Sequence, residues 1–222
     1  MKLIKIAAAL SLITIAAQSH PLPPSKYSVS RELATDRVTI DAISIKTNAT
    51  TDNKGISRVN AVLKKTTQQF IEESKDCSTY GEGNLWGYRV SVAKVLLSKE
   101  YLTVVFDKFS VCSGSPNIEK EARVFSAATG EHIPPQALIS IAVPTAQLNP
   151  DDPISVHLSD DLVNMMIKDS KSALKSYDRR CDNYLHEASY RIWVDDQNLI
   201  LFPEFLQIFS HCQREYLIRL PR

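Results

Sequence analysis

The stretch "GYRVSVAKVLLSKEYLTVVFDKFSVC" (residues 87–112) decides the fold. Its apolar residues fall in two runs on either side of Ser98-Lys99-Glu100. That pattern predicts two strands joined by a tight turn, a β-hairpin. Upstream the period changes. Ile56, Val59, Val62, Leu63, Thr66 and Phe70 recur at spacings of three and four, which predicts an amphipathic helix over about 56–76. Arg58, Lys64, Gln68 and Glu72 fall on its polar face and read as solvated. Before the helix, "RVTIDAISIK" (37–46) alternates and predicts another strand.

Downstream, "EKEARVFSAATGEHI" (119–133) predicts a strand ending in a Thr129-Gly130 turn, and "PPQALIS" and "PTAQLNPDDP" read as turns and short connections. Ser159-Asp160-Asp161 supply an N-cap and first-turn negative charge. With Leu162, Met165, Met166, Ser170 and Leu174 as an inward stripe, they predict a second helix over about 159–175. "SYRIWV" (189–194) and "NLILF" (198–202) flank an Asp195-Asp196-Gln197 turn. Pro203 to Ser210 reads as a short helical turn, and "REYLIRLP" (214–221) as a last strand. The order predicts an α+β fold: a mixed or antiparallel sheet packed by two main helices.

Residues 1–19 read as an export signal. Lys2 and Lys5 precede an apolar run from Ile6 to Ala17, and Ala17-Gln18-Ser19 offers small residues for cleavage after Ser19, with Ala17 as the alternative. The run is short of the roughly 20 residues a spanning helix needs. Residues 20–36, opening on "HPLPPSKY", are expected as an extended lead-in, and 37–222 as a single α+β domain. Asn48-Ala49-Thr50 matches the glycosylation sequon. Without Lys2 and Lys5 the chain carries 24 basic against 25 acidic residues. No basic field favours nucleic acid or an anionic membrane. The expected location is periplasmic or secreted.

Four cysteines in an exported chain favour two disulfides over free thiols. Three pairings exist. Cys77–Cys112 and Cys181–Cys212 are favoured because each clips neighbouring elements within one half of the chain.

The motifs of common chemistries are missing. The histidines, His20, His132, His157, His186 and His211, show no HxxxH or HxH spacing, and His211-Cys212 reads as an incidental neighbour of a half-cystine. There is no CxxC for zinc and no calcium-loop spacing; Asp151-Asp152, Asp160-Asp161 and Asp195-Asp196 suit turns and caps. "STYGEGNLW" (78–86) lacks a phosphate-loop pattern, and no GxSxG occurs. No catalytic residue, metal site or cofactor is expected. A pair of glycosidase carboxylates leaves no sequence signature.

Four segments carry a resemblance: "ISRVNAVLKKTTQQFIEESKDC" with Asn60, "YLTVVFDKFSVCSGSPN", "ARVFSAATGEHIPPQALI", and "RIWVDDQNLILFPEFLQ" with the closing "REYLIRLP". Over about residues 37–221 they resemble an exported α+β domain family. That family comprises the extracytoplasmic domain of a lysozyme-sensing anti-sigma factor and the non-catalytic part of peptidoglycan deacetylases. The family's Gly-Gly-Ala-His is replaced here by Cys112-Ser113-Gly114-Ser115-Pro116, so no role of that histidine carries over. The resemblance implies the fold and a non-enzymatic binding habit. The expected partner is a cell-wall-active enzyme of lysozyme-like type, or peptidoglycan itself, in an inhibitor or immunity role. The alternative is a secreted wall hydrolase whose carboxylate or Ser/His chemistry is hidden in sequence. Candidate contact residues are Tyr80, Trp86, Ser113, Ser115 and Asn117, in loops beside Cys77 and Cys112. For Tyr80 and Trp86 the competing expectation is simple loop packing.

Overall fold

The computed structural model describes residues 20–46, 53–81, 85–112, 114, 116–143, 156–195, 197–205 and 207–220. The signal segment 1–19, the sequon at Asn48-Ala49-Thr50, Asp151-Asp152, Asp196, Ser113 and Ser115 lie outside the described residues.

The predicted hairpin is the centre of a seven-stranded sheet. Strands β1 (His20–Pro21), β2 (Tyr27–Ala34) and β3 (Val38–Ile45) lead to helix α1 (Asn53–Tyr80). The hairpin strands β4 (Gly87–Leu97) and β5 (Tyr101–Val111) come next, then β6 (Pro116–Ser126) and β7 (His132–Ile133). The strand order is β2-β3-β4-β5-β6-β7, with β1 paired to the far end of β4. All pairings are antiparallel except β3 with β4. The unit β3–α1–β4 is therefore one parallel crossover inside an antiparallel sheet, with α1 as its connecting helix.

Within residues 20–36, β1 and β2 flank a short 3-10 turn at Pro24–Lys26 and pair with β4 and β3 of the large sheet. Leu22 is buried and its N–H donates to Val95 O at 2.8 Å, while β2 forms an edge of the sheet.

The hairpin alternation contains a bulge. Tyr88, Val90 and Val92 pack towards α1, and after a register shift between Val92 and Lys94 so do Val95 and Leu97. One extra residue, Ala93, moves the inward phase from even to odd positions. On β5, Leu102, Val104 and Phe106 meet the α1 side, where Phe70 sets its ring edge against Phe106 at 5.3 Å. Helix α1 runs four residues past its predicted end and starts three earlier. Its 28 residues span about 42 Å, slightly longer than an 11-residue strand of about 37 Å. Its buried hydroxyls are satisfied within the helix: Thr66 Oγ1 donates to Val62 O and Thr67 Oγ1 to Leu63 O.

The opposite face of β5 meets a second sheet. After α2 (Pro135–Ala142) come β8 (Val156–His157), α3 (Asp160–Ala173), α4 (Asp182–Leu185), β9 (Ser189–Asp195), β10 (Asn198–Glu204) and β11 (Tyr216–Arg219), with strand order β11-β10-β9-β8. Thr103 Oγ1 donates to Val194 O at 2.9 Å, and Val105 and Val124 join the core of Tyr190, Trp193 and Leu201. Helix α3 meets β11 through Ser170. Helix α1 covers the large sheet, the small sheet packs on its other face, α2 packs against β9 and β10, and α3 runs along the free edge of β11. Strands covered on both faces read as unbroken apolar runs, as "IWV" and "LILF" do. The segment read as turns at "PPQALIS" is helix α2, started by Pro135 in its first turn and burying Leu138 and Ile139.

Cys77 is joined to Cys112, tying the last turn of α1 to the end of β5, and Cys181 is joined to Cys212. No described helix is long and apolar enough to cross a membrane.

Candidate functional site

Tyr80, Trp86 and Asn117 sit at one end of the large sheet. Gly87 pairs with Val111, Ser110 with Asn117, and the Cys77–Cys112 bond brings the end of α1 to the same place. Tyr80 is 76% exposed. Asn117 Nδ2 donates to Glu119 Oε1 on the surface. Trp86 is half-buried: the Arg37 guanidinium lies 5.5 Å from its ring centroid, and a Cβ on Gly81 would come within 2.5 Å of Trp86 Cβ. Trp86 therefore closes the loop after α1 and presents only part of its ring.

Sequence reading missed the neighbouring sheet face. Arg89, Phe109 and Ile118 form one row across β4, β5 and β6 on the side away from α1. Phe109 and Ile118 are exposed, as is Leu85 before β4. Phe202 of the small sheet and Gln213, whose Nε2 donates to Ile118 O at 3.1 Å, border this row and enclose a shallow depression of about 350 Å³. The Arg89 guanidinium has no hydrogen-bond or ion-pair partner among the described residues. The available signal was the alternation itself: in "RVSV" and "FDKFS" the outward positions carry arginine and phenylalanine.

A second, deeper site lies between α1, β6, β7 and β9, a groove of about 610 Å³. Its floor is an ion-paired network. Arg123 Nε donates to Thr66 Oγ1 at 2.9 Å, Nη1 to Ala122 O at 2.9 Å, and Nη2 to Gln69 Oε1 and Glu121 Oε1. Glu121 is buried behind it. Arg191 Nε donates to Glu204 Oε1 at 2.7 Å. Burial holds His132 below its ordinary pKa, and the Arg123 charge adds to this. Burial also raises Glu204, which Arg191 only partly offsets. Towards the disulfide end, Lys108 bridges Glu73 and Glu119, and Tyr88 Oη donates to Glu73 Oε2 at 2.6 Å. Burial alone would raise Glu73; Lys108, Tyr88 and Gln69 outweigh it and leave the carboxyl below its usual range.

Two His contacts lie outside the groove. Ser189 Oγ and His157 Nε2 are 3.1 Å apart, and His186 Nδ1 is 2.7 Å from Asp160 Oδ1. His157, His186 and Asp160 are solvent-exposed. Cys181, His211 and Cys212 bring their potential ligand atoms within 4.8 Å of one another, but both sulfurs are spent on the disulfide.

No family model matches this chain. No curated protein matches it either. Five solved chains match it in structure. One is a member of the DUF3298 family from Bacteroides fragilis, 10% identical, covering 87% of this chain and 89% of that one at a TM-score of 0.48.

Proposed function

We propose that this chain is an exported, non-enzymatic binding module that docks on a cell-wall glycan hydrolase of lysozyme-like type and inhibits it. The observation that carries the reading is the row Arg89–Phe109–Ile118: an unpaired guanidinium beside two exposed apolar side chains on a rigid sheet. Such hydrolases flank the scissile bond with two carboxylates in an open cleft. A free arginine complements that charge, and the apolar pair supplies the desolvated centre that makes such contacts strong. Tyr80 and Asn117 lie at the same end of the sheet but on its α1 side, outside this row. Two disulfides support an oxidising compartment, where such a partner is met.

The test uses the chain from residue 20 onward with a purified lysozyme-like hydrolase and a dye-labelled wall substrate. A stoichiometric complex, loss of the hydrolase's activity, and weakening of both in Arg89→Glu are expected. Dye release by the chain alone at catalytic rates overturns the reading in favour of a hydrolase. An inhibitory complex indifferent to Arg89→Glu overturns the Arg89–Phe109–Ile118 docking face.

A further inference from the structure

The groove between α1 and β9 carries a separate conclusion, independent of the docking face. Its volume, about 610 Å³, falls in the range of small-ligand sites. Two of its cations differ in what they have left to give. Arg123 commits four of its five N–H donors, to Thr66, Ala122 O, Gln69 and Glu121. Arg191 makes one hydrogen bond, from Nε to Glu204, and its Nη1 is buried with no partner among the described residues. Glu121 and Glu119 also lie within electrostatic reach of Arg191, but its hydrogen-bonding fork beyond Nε is uncommitted among the described residues, which suits a bidentate acceptor. At the rim, Lys65 is exposed, and no partner for its ammonium is found among the described residues.

The rest of the lining is mixed: Gln68, His132 and Glu72, which is ion-paired to Lys75, stand beside an apolar group. Val62, Val124, Ile133 and Ile192 come from α1, β6, β7 and β9 and meet in the same groove. Once Arg123–Glu121, Arg191–Glu204 and Lys75–Glu72 are counted as neutral pairs, Lys65 supplies about one net positive charge. That balance fits a monoanion better than a phosphate dianion.

We propose that this groove binds a carboxylate carrying an apolar body. Arg191 and Lys65 take the carboxylate, and Val62, Val124, Ile133 and Ile192 take the body. Two sources share this chemistry: a fatty acid, and the C-terminal residue of an apolar peptide.

Calorimetric titration of the chain from residue 20 onward tests it with decanoate and with an N-acetylated apolar tripeptide bearing a free C-terminus. Methyl decanoate and the amidated tripeptide serve as uncharged controls. One acid is expected to bind at millimolar concentration or tighter, and its uncharged control at least about tenfold more weakly. Which acid binds identifies the source. Lys65→Glu lies on an exposed helix face and leaves the core intact, so it is the decisive variant; it should weaken binding about tenfold or more. Arg191→Lys keeps the charge but removes the fork, and should weaken it further. The proposal is overturned if neither acid binds, if the uncharged controls bind equally, or if Lys65→Glu binds as tightly as the parent chain.

Discussion

Asn60 exchanges two hydrogen bonds with the backbone of Ile45. The Ile45 N–H donates to Asn60 Oδ1 at 2.8 Å, and Asn60 Nδ2 donates to Ile45 O at 2.9 Å. Strand β3 pairs with β4 only over Val38–Ile40, so beyond that point its edge on the β4 side has no strand partner. A helix side chain takes the place of the missing strand. Ser170 does the same at the outer edge of the small sheet, where Leu217 N donates to its Oγ at 3.0 Å. Each main helix thus closes a sheet edge with polar side chains, Asn60 from α1 and Ser170 with Asp169 from α3. Asn60→Ala leaves both Ile45 groups unpaired and should cost about 1–3 kcal/mol, read as a lower urea midpoint at unchanged slope. A variant as stable as the parent would show that water replaces the amide without loss.

Two glycines with positive φ should behave differently. Gly130, at φ +69°, ends the turn that rests on the start of α1, and a Cβ there would come within 2.2 Å of Gly55 O. Gly114, at φ +90°, has open space around the same position. Left-handed backbone alone costs an L-residue about 1–2 kcal/mol. Gly114→Ala should therefore lose about that much, and Gly130→Ala distinctly more, because backbone must also move. Equal losses in thermal or urea unfolding would refute the close approach of the turn to α1.

The disulfides close segments of comparable length, with sequence separations of 35 and 31. Loop-closure entropy assigns each about 3–4 kcal/mol. The paired variants Cys77→Ala/Cys112→Ala and Cys181→Ala/Cys212→Ala should each lose about that amount, and non-reducing peptide maps should show these two pairs with no free thiol. A loss well under 1 kcal/mol in either variant would mean that the cross-link does not restrict the denatured chain.

Elements that bury one face or both were legible in the sequence. The hairpin, α1, α3 and the β9–β10 pair all announce themselves through apolar period or apolar runs bounded by turns. Strand β2, "YSVSRELA", buries almost nothing and so has no apolar phase to read. The bulge at Ala93 is silent because the residues on either side of it are all apolar or long-chained. Helix α2 is eight residues long and opens on prolines, the usual mark of a turn. The end-of-sheet loops were legible because cysteines flag them. The Arg89–Phe109–Ile118 row was not, since its members come from three strands whose register sequence does not state. The groove was further from reach: Lys65, His132 and Arg191 belong to three elements, and only the stacking of the two sheets assembles them.

Acid should destabilise the fold in two stages. Burial, and then Arg123, hold His132 below 6.5 in the folded chain. The unfolded chain therefore takes up the proton first. Stability from this group is complete above pH 6.5 and is lost as pH falls through the folded value. Glu73, held below 4.5 against its burial by Lys108, Tyr88 and Gln69, contributes in the same direction at lower pH. Its stability is present above 4.5 and lost as pH falls through the depressed folded value. Glu204 runs the other way. Raised above 4.5 by burial, it adds stability below 4.5 that disappears as pH rises through its folded pKa, and so it blunts the second stage. Urea midpoints at pH 7.5, 5.5 and 4 should fall at each step. His132→Asn removes the titrating ring from beside Arg123, so the step from 7.5 to 5.5 should shrink while the step below 5.5 persists. An unchanged first step in His132→Asn would assign it to another group and remove the desolvated imidazole from the account of acid stability.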